Sequence, residues 1–347
     1  MKLLITGGAG FIGSALVRYI IEQQEDDIFN VDKLSYAVHP YALATVSSNP
    51  RYQFKKLDIC DADALSRIFE VFQPDAVLHL AAETHVDRSL QGAEHFMLSN
   101  YMGTFNLLEV TRRYWQQLEP VKRDQFCFLH VSTDEVYGDL LHPDEDPTAS
   151  ELSFSERSVL APSSPYSASK ASSDHLVQAW HRSYGLPTMI SRCSNNYGPF
   201  QFTEKLIPHM VQSALQDQPL TIYGSGQQMR DWLYVDDHVK ALYALLKKGS
   251  IGEIYNIGAN NERRNIDVVR RICQIMDDLV PRSNGESYAQ LIQYVEDRPG
   301  HDVRYAVDST KLKQATGWSP EQDFERGLAK TVSWFVRDLD AATKYRA

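Results

Sequence analysis

The stretch that decides the fold is "KLLITGGAGFIGSALVRYI", residues 2–20. It begins with a short apolar run, which is typical of a strand buried on both faces of a parallel sheet. Gly7, Gly10 and Gly13 follow at intervals of three, and an amphipathic segment begins at the last of them. A strand, a glycine-rich turn and a helix in this order are typical of a loop whose backbone amides bind a pyrophosphate. We therefore predict a dinucleotide-binding unit at the start of the chain.

The spacing of these glycines is one residue wider at its first gap than the usual G-x-G-x-x-G pattern. On its own, such a triplet can also mark a tight turn in a sheet that binds no cofactor. The second predicted strand, however, ends at Asp32, where an acid can bind the ribose hydroxyls of an adenosine. Because the same acid would repel the additional phosphate of NADP, the sequence favours NAD.

Apolar runs alternate with amphipathic segments through the first half of the chain. Further strands are predicted at 27–32, 52–58, 76–82, 126–132 and 187–193. Helices are predicted at 13–22, 62–72, 94–114 and 165–184. Strands that alternate with helices predict βαβ units, and hence a parallel sheet covered by helices on both faces.

The pattern changes after about residue 195, where glycine and proline become frequent and helices alternate with irregular segments. Residues 254–258 resemble one more strand that rejoins the first sheet. We predict an α/β fold, a Rossmann-type doubly wound parallel sheet with a smaller, interleaved C-terminal domain that binds the substrate. The predicted boundaries are 1–190 and about 228–260 for the NAD-binding domain, and 191–227 and 261–347 for the substrate domain.

The composition is that of an ordinary soluble globular protein, with 43% hydrophobic and 23% charged residues. A net charge of −10 argues against a nucleic-acid surface, which should be basic. No apolar stretch approaches the ~20 residues of a membrane span, and the N-terminus does not resemble a secretory signal. We therefore expect a cytoplasmic protein with neither nucleic-acid nor membrane partners. The spacing of the four cysteines and eleven histidines predicts neither a disulfide framework nor a metal site.

The helix predicted at 165–184 carries Tyr166 and Lys170, with Ser164 as a candidate N-cap and Pro165 in the first turn. The i, i+4 spacing places the tyrosine and the lysine on one face of the helix. Free tyrosine has a pKa of about 10 and is a poor base at neutral pH. A nearby ammonium group, together with a positively charged nicotinamide, would favour the phenolate.

Two adjacent carboxylates, Asp134 and Glu135, directly follow the strand that is predicted to end at residue 132. Charged groups beside a low-dielectric core cost free energy unless they are paired, neutralised or needed for function. Because adjacent side chains of a strand point to opposite faces, both acids can reach one ligand only if the chain leaves strand geometry at 133–135. Acid–base work would also require their pKa values to diverge. The alternative is that the two acids cap a surface turn.

Eight blocks of the sequence, which together span nearly the whole chain, carry a resemblance to a known family. They are "TGGAGFIGS" (6–14), "VDKLSYA" (31–37), "HLAAETHVDRS" (79–89), "STDEVYGDL" (132–140), "SPYSASKASSDHL" (164–176), "CSNNYGPFQFTEKLIP" (193–208), "RDWLYVDDH" (230–238) and "DRPGHD" (297–302). In these blocks the chain resembles the extended short-chain dehydrogenase/reductases, and among them the dTDP-glucose 4,6-dehydratases. The resemblance implies a hydro-lyase that converts dTDP-glucose into its 4-keto-6-deoxy derivative, a precursor of rhamnose and related deoxysugars. It also implies tightly bound NAD and a homodimer formed through the helices at 94–114 and 165–184.

The resemblance further implies a role for each catalytic residue. Tyr166, aided by Thr133 and Lys170, would take the proton of the C4 hydroxyl while the C4 hydride passes to NAD. The resulting 4-ketone acidifies C5, so that Glu135 can remove the C5 proton while Asp134 protonates the C6 hydroxyl that leaves as water. The hydride would then return to C6, which makes the reaction redox-neutral.

Two sets of binding residues follow from the glycine loop and the resemblance. The cofactor set is Gly7, Gly10, Phe11, Ile12, Gly13, Asp32, Lys33, Leu34, Ser35, Asp58, Ile59, Leu80, Ala81, Ala82, Thr84, Ser99, Tyr166, Lys170 and Asn196. The substrate set is Thr84, Thr133, Asp134, Glu135, Asn195, Lys205, Leu206, Pro219, Tyr223, Arg230, Asn265, Asp297, Arg298 and His301. A guanidinium group matches the oxygens of a diphosphate, which suits Arg230 and Arg298. The alternatives are that Arg230 pairs with Asp231 and Arg298 with Asp297.

The chain departs from the family after residue 37, where Val38-His39-Pro40 replaces the usual Gly-Asn. We expect this loop near the adenosine end of the cofactor. Two other functions within the superfamily stay open, a UDP-glucose 4,6-dehydratase and a sugar-nucleotide 4-epimerase. A third, from a different class, is a non-catalytic sensor that binds NAD. Such a sensor would have no reason to retain all five catalytic residues.

Overall fold

The centre of the molecule is a seven-stranded parallel sheet, seen in a computed structural model that describes residues 1–344. The strands of the chain are β1 (Lys2–Thr6), β2 (Asp27–Asp32), β3 (Tyr52–Lys56), β4 (Ala76–His79), β5 (Cys127–Thr133), β6 (Thr188–Cys193), β7 (Asn195–Tyr197), β8 (Leu220–Tyr223), β9 (Met229–Tyr234), β10 (Ile254–Ile257), β11 (Glu262–Arg264) and β12 (Ile292–Val295). In the central sheet their order is β10-β6-β5-β4-β1-β2-β3, and every neighbouring pair is parallel. After β1 the chain adds β2 and β3 on one side, and it then adds β4, β5, β6 and β10 on the other. The strand order therefore reverses between β1 and β4, and ligands bind at such a point in these folds. The predicted Rossmann-type sheet is confirmed.

Helices cover both faces of this sheet. The α-helices among residues 1–344 are α1 (Phe11–Gln23), α2 (Ala62–Phe72), α3 (Val86–Gln91), α4 (Ala93–Phe96), α5 (Gly103–Gln116), α6 (Pro120–Gln125), α7 (Pro165–Tyr184), α8 (Leu206–Leu215), α9 (Val235–Lys248), α10 (Asn265–Leu279), α11 (Thr310–Thr316) and α12 (Phe324–Lys344). On one face α1 and α9 bury side chains such as Leu16 and Leu242, and on the other α2, α5 and α7 bury Phe69, Leu107 and Val177. These two apolar layers hold the carboxyl ends of the strands in fixed positions.

The helix predicted at 94–114 is interrupted. A π-helical segment, Met97–Met102, separates α4 from α5. It contains Asn100, whose Oδ1 accepts the backbone N–H of Glu83 at 2.8 Å and whose Nδ2 donates to Ser169 Oγ at 2.8 Å. The wider turn therefore lets one amide side chain bridge the loop after β4 and helix α7, in keeping with the use of π segments at functional sites.

After residue 194 the chain forms two small sheets, where the sequence predicts irregular segments. β9 lies between β7 and β11, and β8 pairs with β12. Helices α8, α10 and α12 pack around them on a second apolar core that includes Met210, Ile272 and Phe335. Strands of three to six residues are too short to show a clear two-residue period in the sequence.

Strand β10 lies at the edge of the central sheet beside β6, so this segment rejoins the sheet as predicted. In contrast, β9 lies within the predicted return segment 228–260 but pairs with strands of the small sheet. The proposed domain boundaries stay a prediction. Within residues 1–344, no helix combines the length and apolar character that a membrane crossing requires.

Candidate active site

A cleft opens at the carboxyl ends of β1, β2, β4 and β5 and extends towards the segment between β7 and α8. It is lined by the predicted catalytic residues and by almost the entire predicted cofactor set. The exception is Leu34, which adopts a left-handed backbone conformation with φ of 56° and is 40% exposed outside the cleft. The assignment of Leu34 to the cofactor stays a prediction; its backbone N–H bonds to Asp32, which does line the cleft.

The three glycines of the loop have different surroundings. Gly7 has φ of 75°, and a Cβ atom there would lie 2.5 Å from the backbone nitrogen of Ala81. A Cβ atom on Gly13 would lie 2.1 Å from the carbonyl oxygen of Gly7, so α1 packs directly against the loop. On Gly10, the residue before α1, the nearest atom to an added Cβ is the Gly7 oxygen at 3.4 Å. The space beside Gly10 is therefore cleft, at a helix N-terminus where backbone amides can receive a pyrophosphate.

Asp32 ends β2 with its carboxylate in the wall of the cleft. Its Oδ2 accepts the backbone N–H of Ala9 at 3.0 Å, and its Oδ1 accepts that of Leu34 at 2.8 Å. Burial raises the pKa of Asp32, although the same two amide hydrogen bonds favour its charged form. Each oxygen keeps a second lone pair, so the carboxylate can still accept a ribose hydroxyl.

Both acids of the predicted pair line the cleft because the chain leaves strand geometry where we predicted. β5 ends at Thr133, and Asp134–Tyr137 form one turn of 3-10 helix, the acid turn. Thr133 caps this turn, since its Oγ1 accepts the backbone N–H of Glu135 at 3.3 Å. The tight turn replaces the alternation of a strand, which would have sent the two carboxylates to opposite faces.

The surroundings of Asp134 favour its neutral form. It is 1% exposed, and burial, together with the nearby Glu135 and Asp231, raises the pKa of the Asp134 carboxyl well above its ordinary value. Its Oδ1 contacts Thr133 Oγ1 at 3.3 Å, whereas its Oδ2 has no hydrogen-bond partner among residues 1–344. A buried, partner-free carboxyl oxygen in a cleft wall is suited to carry a proton.

Most of the charged groups near Glu135 are cations, whereas most of those near Asp134 are anions. Burial raises the pKa of the Glu135 carboxyl, but the positive charges of Lys205, Arg230 and Arg298 oppose that shift. Asp134, in contrast, has two carboxylates among its neighbours and one arginine. The pKa values of both carboxyl groups are raised, but neighbouring anions add to the shift at Asp134, whereas three cations oppose it at Glu135. Of the two, Asp134 is therefore the group whose surroundings favour a proton more strongly, which is the direction of divergence that acid–base work requires.

Tyr166 and Lys170 reach the cleft from the first turns of α7. As predicted, Ser164 caps this helix and Pro165 occupies its first turn. Burial and the nearby Glu135 raise the pKa of the Tyr166 phenol well above 10, so within the chain itself its neutral form is favoured. We predicted that a nearby ammonium and a positively charged nicotinamide together favour the phenolate, and that joint effect stays a prediction.

The ammonium group of Lys170 is fully inside the protein, where its Nζ donates to the carbonyl oxygen of Val131 at 2.9 Å. Burial lowers the pKa of Lys170 to about 8, while the negative charge of Asp174 opposes the shift. Lys170 is therefore held by the strand that precedes the acid turn, which fixes its position between β5 and α7.

The predicted substrate residues fall into two groups. Thr84, Asn195 and Lys205 line the cleft with the acid pair, and Lys205 Nζ donates to the carbonyl oxygen of Thr84 at 3.0 Å. The others lie outside the cleft on the smaller part of the chain, and they are Leu206, Pro219, Tyr223, Arg230, Asn265, Asp297, Arg298 and His301. Their assignment to the substrate stays a prediction.

Arg230 does not form the alternative ion pair with Asp231. Its guanidinium donates to the carbonyl oxygens of Met229 at 2.7 Å and Asp302 at 2.8 Å, and it lies 4.4 Å from the ring centroid of Tyr305. Neighbouring side chains of β9 point in opposite directions, and the carboxylate of Asp231 instead accepts backbone N–H groups at residues 259 and 261.

Arg298 pairs with Asp87 of α3 at 3.0 Å instead of with the side chain of Asp297. The hydroxyl of Tyr223 contacts the same carboxylate at 3.4 Å. His301 Nδ1, in turn, lies 2.6 Å from Asp297 Oδ1. These predicted substrate residues therefore meet one another beside α3, where their polar ends are engaged in contacts within the chain.

Several cleft residues were not singled out in the sequence, although most lie inside the quoted blocks. They are Val31, Tyr36, Ala37, Val38, Leu57, His85, Val131, Ser132, Cys193, Ser194, Gln201, Phe202 and Glu204. Their position inside a block was the sequence feature that could have identified them. That feature does not distinguish residues that face the cleft from residues that pack behind it. Glu204 pairs with Arg88, whose guanidinium lies 3.7 Å from the ring centroid of Tyr36, so this rim joins three separate blocks.

The loop that departs from the family contributes Val38 to the cleft wall. The next residue, His39, turns away from the cleft. Its ring lies 5.1 Å from that of Phe200 and 5.5 Å from that of Trp334, and its Nε2 is 3.2 Å from Asp338 Oδ2. The departure thus joins the loop after β2 to helix α12.

Comparisons with known proteins agree with this geometry. A family model described as GDP-mannose 4,6 dehydratase matches residues 4–331. The dTDP-glucose 4,6-dehydratase 1 of Escherichia coli (strain K12) is 57% identical over 337 residues, which cover 97% of this chain and 93% of that protein. The dTDP-glucose 4,6-dehydratase of Haemophilus influenzae (strain ATCC 51907 / DSM 11121 / KW20 / Rd) is 54% identical over 97% of this chain and 98% of its own length.

A solved structure shows the same similarity in three dimensions. The dTDP-glucose 4,6-dehydratase of Streptomyces venezuelae, crystallised with NAD bound, superposes with a TM-score of 0.86 at 39% identity over 98% of both chains. By sequence over nearly its full length, and by fold, the chain belongs to the GDP-mannose 4,6 dehydratase family, in which it groups with the dTDP-glucose 4,6-dehydratases.

Proposed function

We propose that this protein is a hydro-lyase that dehydrates dTDP-glucose to dTDP-4-dehydro-6-deoxy-glucose, with NAD as a recycled cofactor. The observation that carries the proposal is the placement of Asp134 and Glu135 in one cleft with Tyr166 and Lys170. An epimerase needs the tyrosine and the lysine but has no use for an acid pair. The relatives that match this chain at more than half identity are dTDP-glucose 4,6-dehydratases.

The residues of the cleft fit NAD. The open space at Gly10 would receive the pyrophosphate, Asp32 would accept the adenosine ribose hydroxyls, and the segment 80–82 would line the wall towards the acid turn. When bound, NAD would supply a hydride acceptor for C4 and a hydride donor for C6 of the sugar. Its positively charged ring would also oppose the effect of burial on the Tyr166 pKa.

The groups of the chain divide the proton transfers among them. Tyr166 takes the proton of the C4 hydroxyl, and Lys170 and Thr133 stabilise the developing phenolate charge. With the ketone formed at C4, Glu135 accepts the acidified proton from C5. Asp134 delivers its own proton to the C6 hydroxyl, the C6–O bond breaks, and water leaves. Enclosure of the acid pair in the cleft limits competing proton exchange with solvent.

The experiment that tests this function follows one substrate hydrogen. With dTDP-glucose deuterated at C4, we expect mass spectrometry to show loss of one water and the label at C6 of the product. UDP-glucose, assayed in parallel, establishes the base preference. Label retained at C4, or lost into free cofactor, would contradict the dehydratase function. An inverted but undehydrated sugar would indicate an epimerase.

Removal of the Asp32 carboxylate should weaken NAD binding. A hydrogen bond to a charged group contributes about 1.5–3 kcal/mol, so we expect Asp32→Ala to lower the affinity roughly ten- to hundred-fold. Isothermal titration with NAD measures this change. Asp75→Ala is the matched control, because Asp75 likewise accepts a backbone N–H, that of Lys2, at 2.7 Å, but lies outside the cleft. Full NAD occupancy of purified Asp32→Ala would show that this strand end does not bind the cofactor.

We also infer a homodimer, a cytoplasmic location and the two-domain division. Support for the dimer comes from the π segment before α5, where Met97, Leu98, Tyr101 and Met102 are exposed apolar side chains on one of the predicted contact helices. Free thiols at all four cysteines agree with a reducing compartment. The division is supported by the two separate apolar cores, one on the central sheet and one around α8, α10 and α12.

A further inference from the structure

One buried arginine joins the two elements that carry the catalytic residues. Arg192 lies on β6, is 2% exposed and does not line the cleft. Its Nε donates to Asp174 Oδ2 of α7 at 2.8 Å, and its Nη1 donates to the hydroxyl of Tyr137 at 3.0 Å. The guanidinium also lies 4.8 Å from the centre of the Tyr137 ring. A single side chain thus contacts α7 on one side and the acid turn on the other.

On the side of α7, the contact is made by Asp174. Tyr166, Lys170 and Asp174 follow one another at intervals of four, so they share one face of the helix. Asp174 has no exposed surface, and its Oδ1 lies 3.4 Å from His130 Nε2. Burial alone would raise the pKa of Asp174, but His130 and Arg192 outweigh it and hold that pKa below its ordinary value. Asp174 is therefore an anion that anchors the guanidinium to the helix of the Tyr–Lys pair.

On the side of the acid turn, the contact is made by its last residue, Tyr137. The Tyr137 hydroxyl donates to Asn256 Oδ1 of β10 at 2.7 Å, while it accepts from Arg192. Its ring stacks on Phe154 with centroids 4.9 Å apart and an angle of 18°. The hydrogen bonds to its hydroxyl and the stacking on its ring therefore fix the position of Tyr137. Because the acid turn is only four residues long, this also restricts the two carboxyl groups at its start.

Stability alone is a weak reason to bury such a pair. The desolvation of two charges consumes most of their attraction, and apolar residues of similar volume often serve stability as well or better. A guanidinium fork, however, fixes direction as well as distance, because its donors have a rigid planar geometry. The elements it joins here must act in succession on one sugar, and a displacement of about 1 Å can cost roughly 10²-fold in rate.

We propose that Arg192 is a positioning residue that keeps the acid turn in register with the Tyr166–Lys170 pair, so that elimination follows oxidation without delay. The proposal rests on the dehydratase function above. It assigns Arg192 no contact with the sugar or the cofactor. Its effect should appear in the relative rates of two steps, which a role in stability alone would not alter.

The test compares Arg192→Met with a matched control, Arg304→Met. Arg304 is also nearly fully buried, and its guanidinium also forms a short ion pair, with Glu262 at 2.6 Å. That guanidinium contacts neither α7 nor the acid turn, since its other partner is the carbonyl oxygen of Ala149. Only the backbone of Arg304 bonds to residues 139 and 140, and the substitution keeps that backbone. Single turnovers with dTDP-glucose are quenched, and the sugar nucleotides are weighed by mass spectrometry. Thermal unfolding is recorded for both variants.

For Arg192→Met we expect the oxidised, undehydrated 4-keto sugar to accumulate, because elimination slows at least tenfold relative to oxidation. Arg192→Lys should show a smaller shift in the same direction, since it keeps the charge but loses the fork. Arg304→Met should lower the unfolding temperature and leave the ratio of the two rates as in the wild type. An unchanged ratio in Arg192→Met would overturn the proposal, whatever its stability.

Should Arg192→Met not fold, Tyr137→Phe removes only the hydroxyl that Arg192 and Asn256 contact, and the same shift in the ratio is expected. An unchanged ratio in that variant would overturn the proposal too. Failure of the proposed function is distinguishable, because the wild type itself would then release no water. In that case, crystal structures of the wild type and of Arg192→Met test whether the arginine positions the acid turn. Tyr137→Phe replaces Arg192→Met if the latter does not fold. The proposal is wrong if the acid turn keeps its wild-type position relative to α7 in the variant.

Discussion

Replacement of Glu135 by glutamine should nearly abolish dehydration while the protein still folds and still binds NAD. The amide keeps the shape of the carboxylate but cannot accept the C5 proton. A general base typically contributes ~10²–10⁴-fold to the rate, so a loss of that size is expected. The surroundings support this role, because the positive charges of Lys205, Arg230 and Arg298 oppose the rise that burial causes in the Glu135 pKa.

Single-turnover mass spectrometry distinguishes loss of the base from loss of the whole site. In Glu135→Gln the C4 hydroxyl can still be oxidised, so we expect the 4-keto sugar to accumulate without loss of water. Glu253→Gln is a matched control, because Glu253 pairs with Lys311 at 2.7 Å on the surface, outside the cleft. Turnover above about a tenth of the wild-type value in Glu135→Gln would contradict the assignment.

Replacement of Tyr166 by phenylalanine should stop the reaction one step earlier. Without the phenol oxygen the C4 hydroxyl proton has no acceptor, and the 4-ketone that acidifies C5 does not form. We expect a loss of at least ~10²-fold, with neither 4-keto sugar nor dehydrated product, although both carboxyl groups of the acid turn are in place. The two variants thus differ in the species that accumulates, which separates the roles of α7 and the acid turn.

The control for this variant lies on the same helix. Tyr184 is the last residue of α7 and is 48% exposed, so Tyr184→Phe removes a phenol of the same kind far from the cleft. It should retain wild-type activity. Normal elimination by Tyr166→Phe would place the base elsewhere, and Lys170, whose pKa burial lowers to about 8, would then be the group to examine.

Local signals determined much of the fold. The sequence predicted the strand, the glycine loop and the helix at the N-terminus, and the structure contains all three. Helix α7 begins and ends at the predicted residues. Its start has a Ser164 cap with Pro165 in the first turn, and Gly185 ends it with φ of 72°. Such signals predict where a helix begins and ends, because caps and helical hydrogen bonds join residues only three or four positions apart. All the residues that form them are therefore close together in the sequence. The acid turn was predicted for a different reason, since two adjacent side chains of a strand could not both reach one ligand.

Other features depended on contacts between distant segments. The break in the helix predicted at 94–114 follows from Asn100, which bonds to partners 17 and 69 residues away. The five short strands of the two small sheets are defined by their pairing partners, since segments of this length carry no clear period of their own.

The sequence by itself thus determined the central sheet and the glycine loop, because the signals for both lie in neighbouring residues. The catalytic groups were predicted from the resemblance to a family, and their roles stay a prediction. Only the tertiary structure decided how the two acids come to differ. Asp231 reaches Asp134, and Lys205 and Arg298 reach Glu135, from segments about 70 to 160 residues further along the chain. The energy of a charge depends on distance through space and on burial, and neither quantity is set by position in the sequence. The contacts of Arg192 also depend on tertiary structure. Strand β6, helix α7 and the acid turn must pack together before the Arg192 guanidinium can bond to Asp174 and Tyr137.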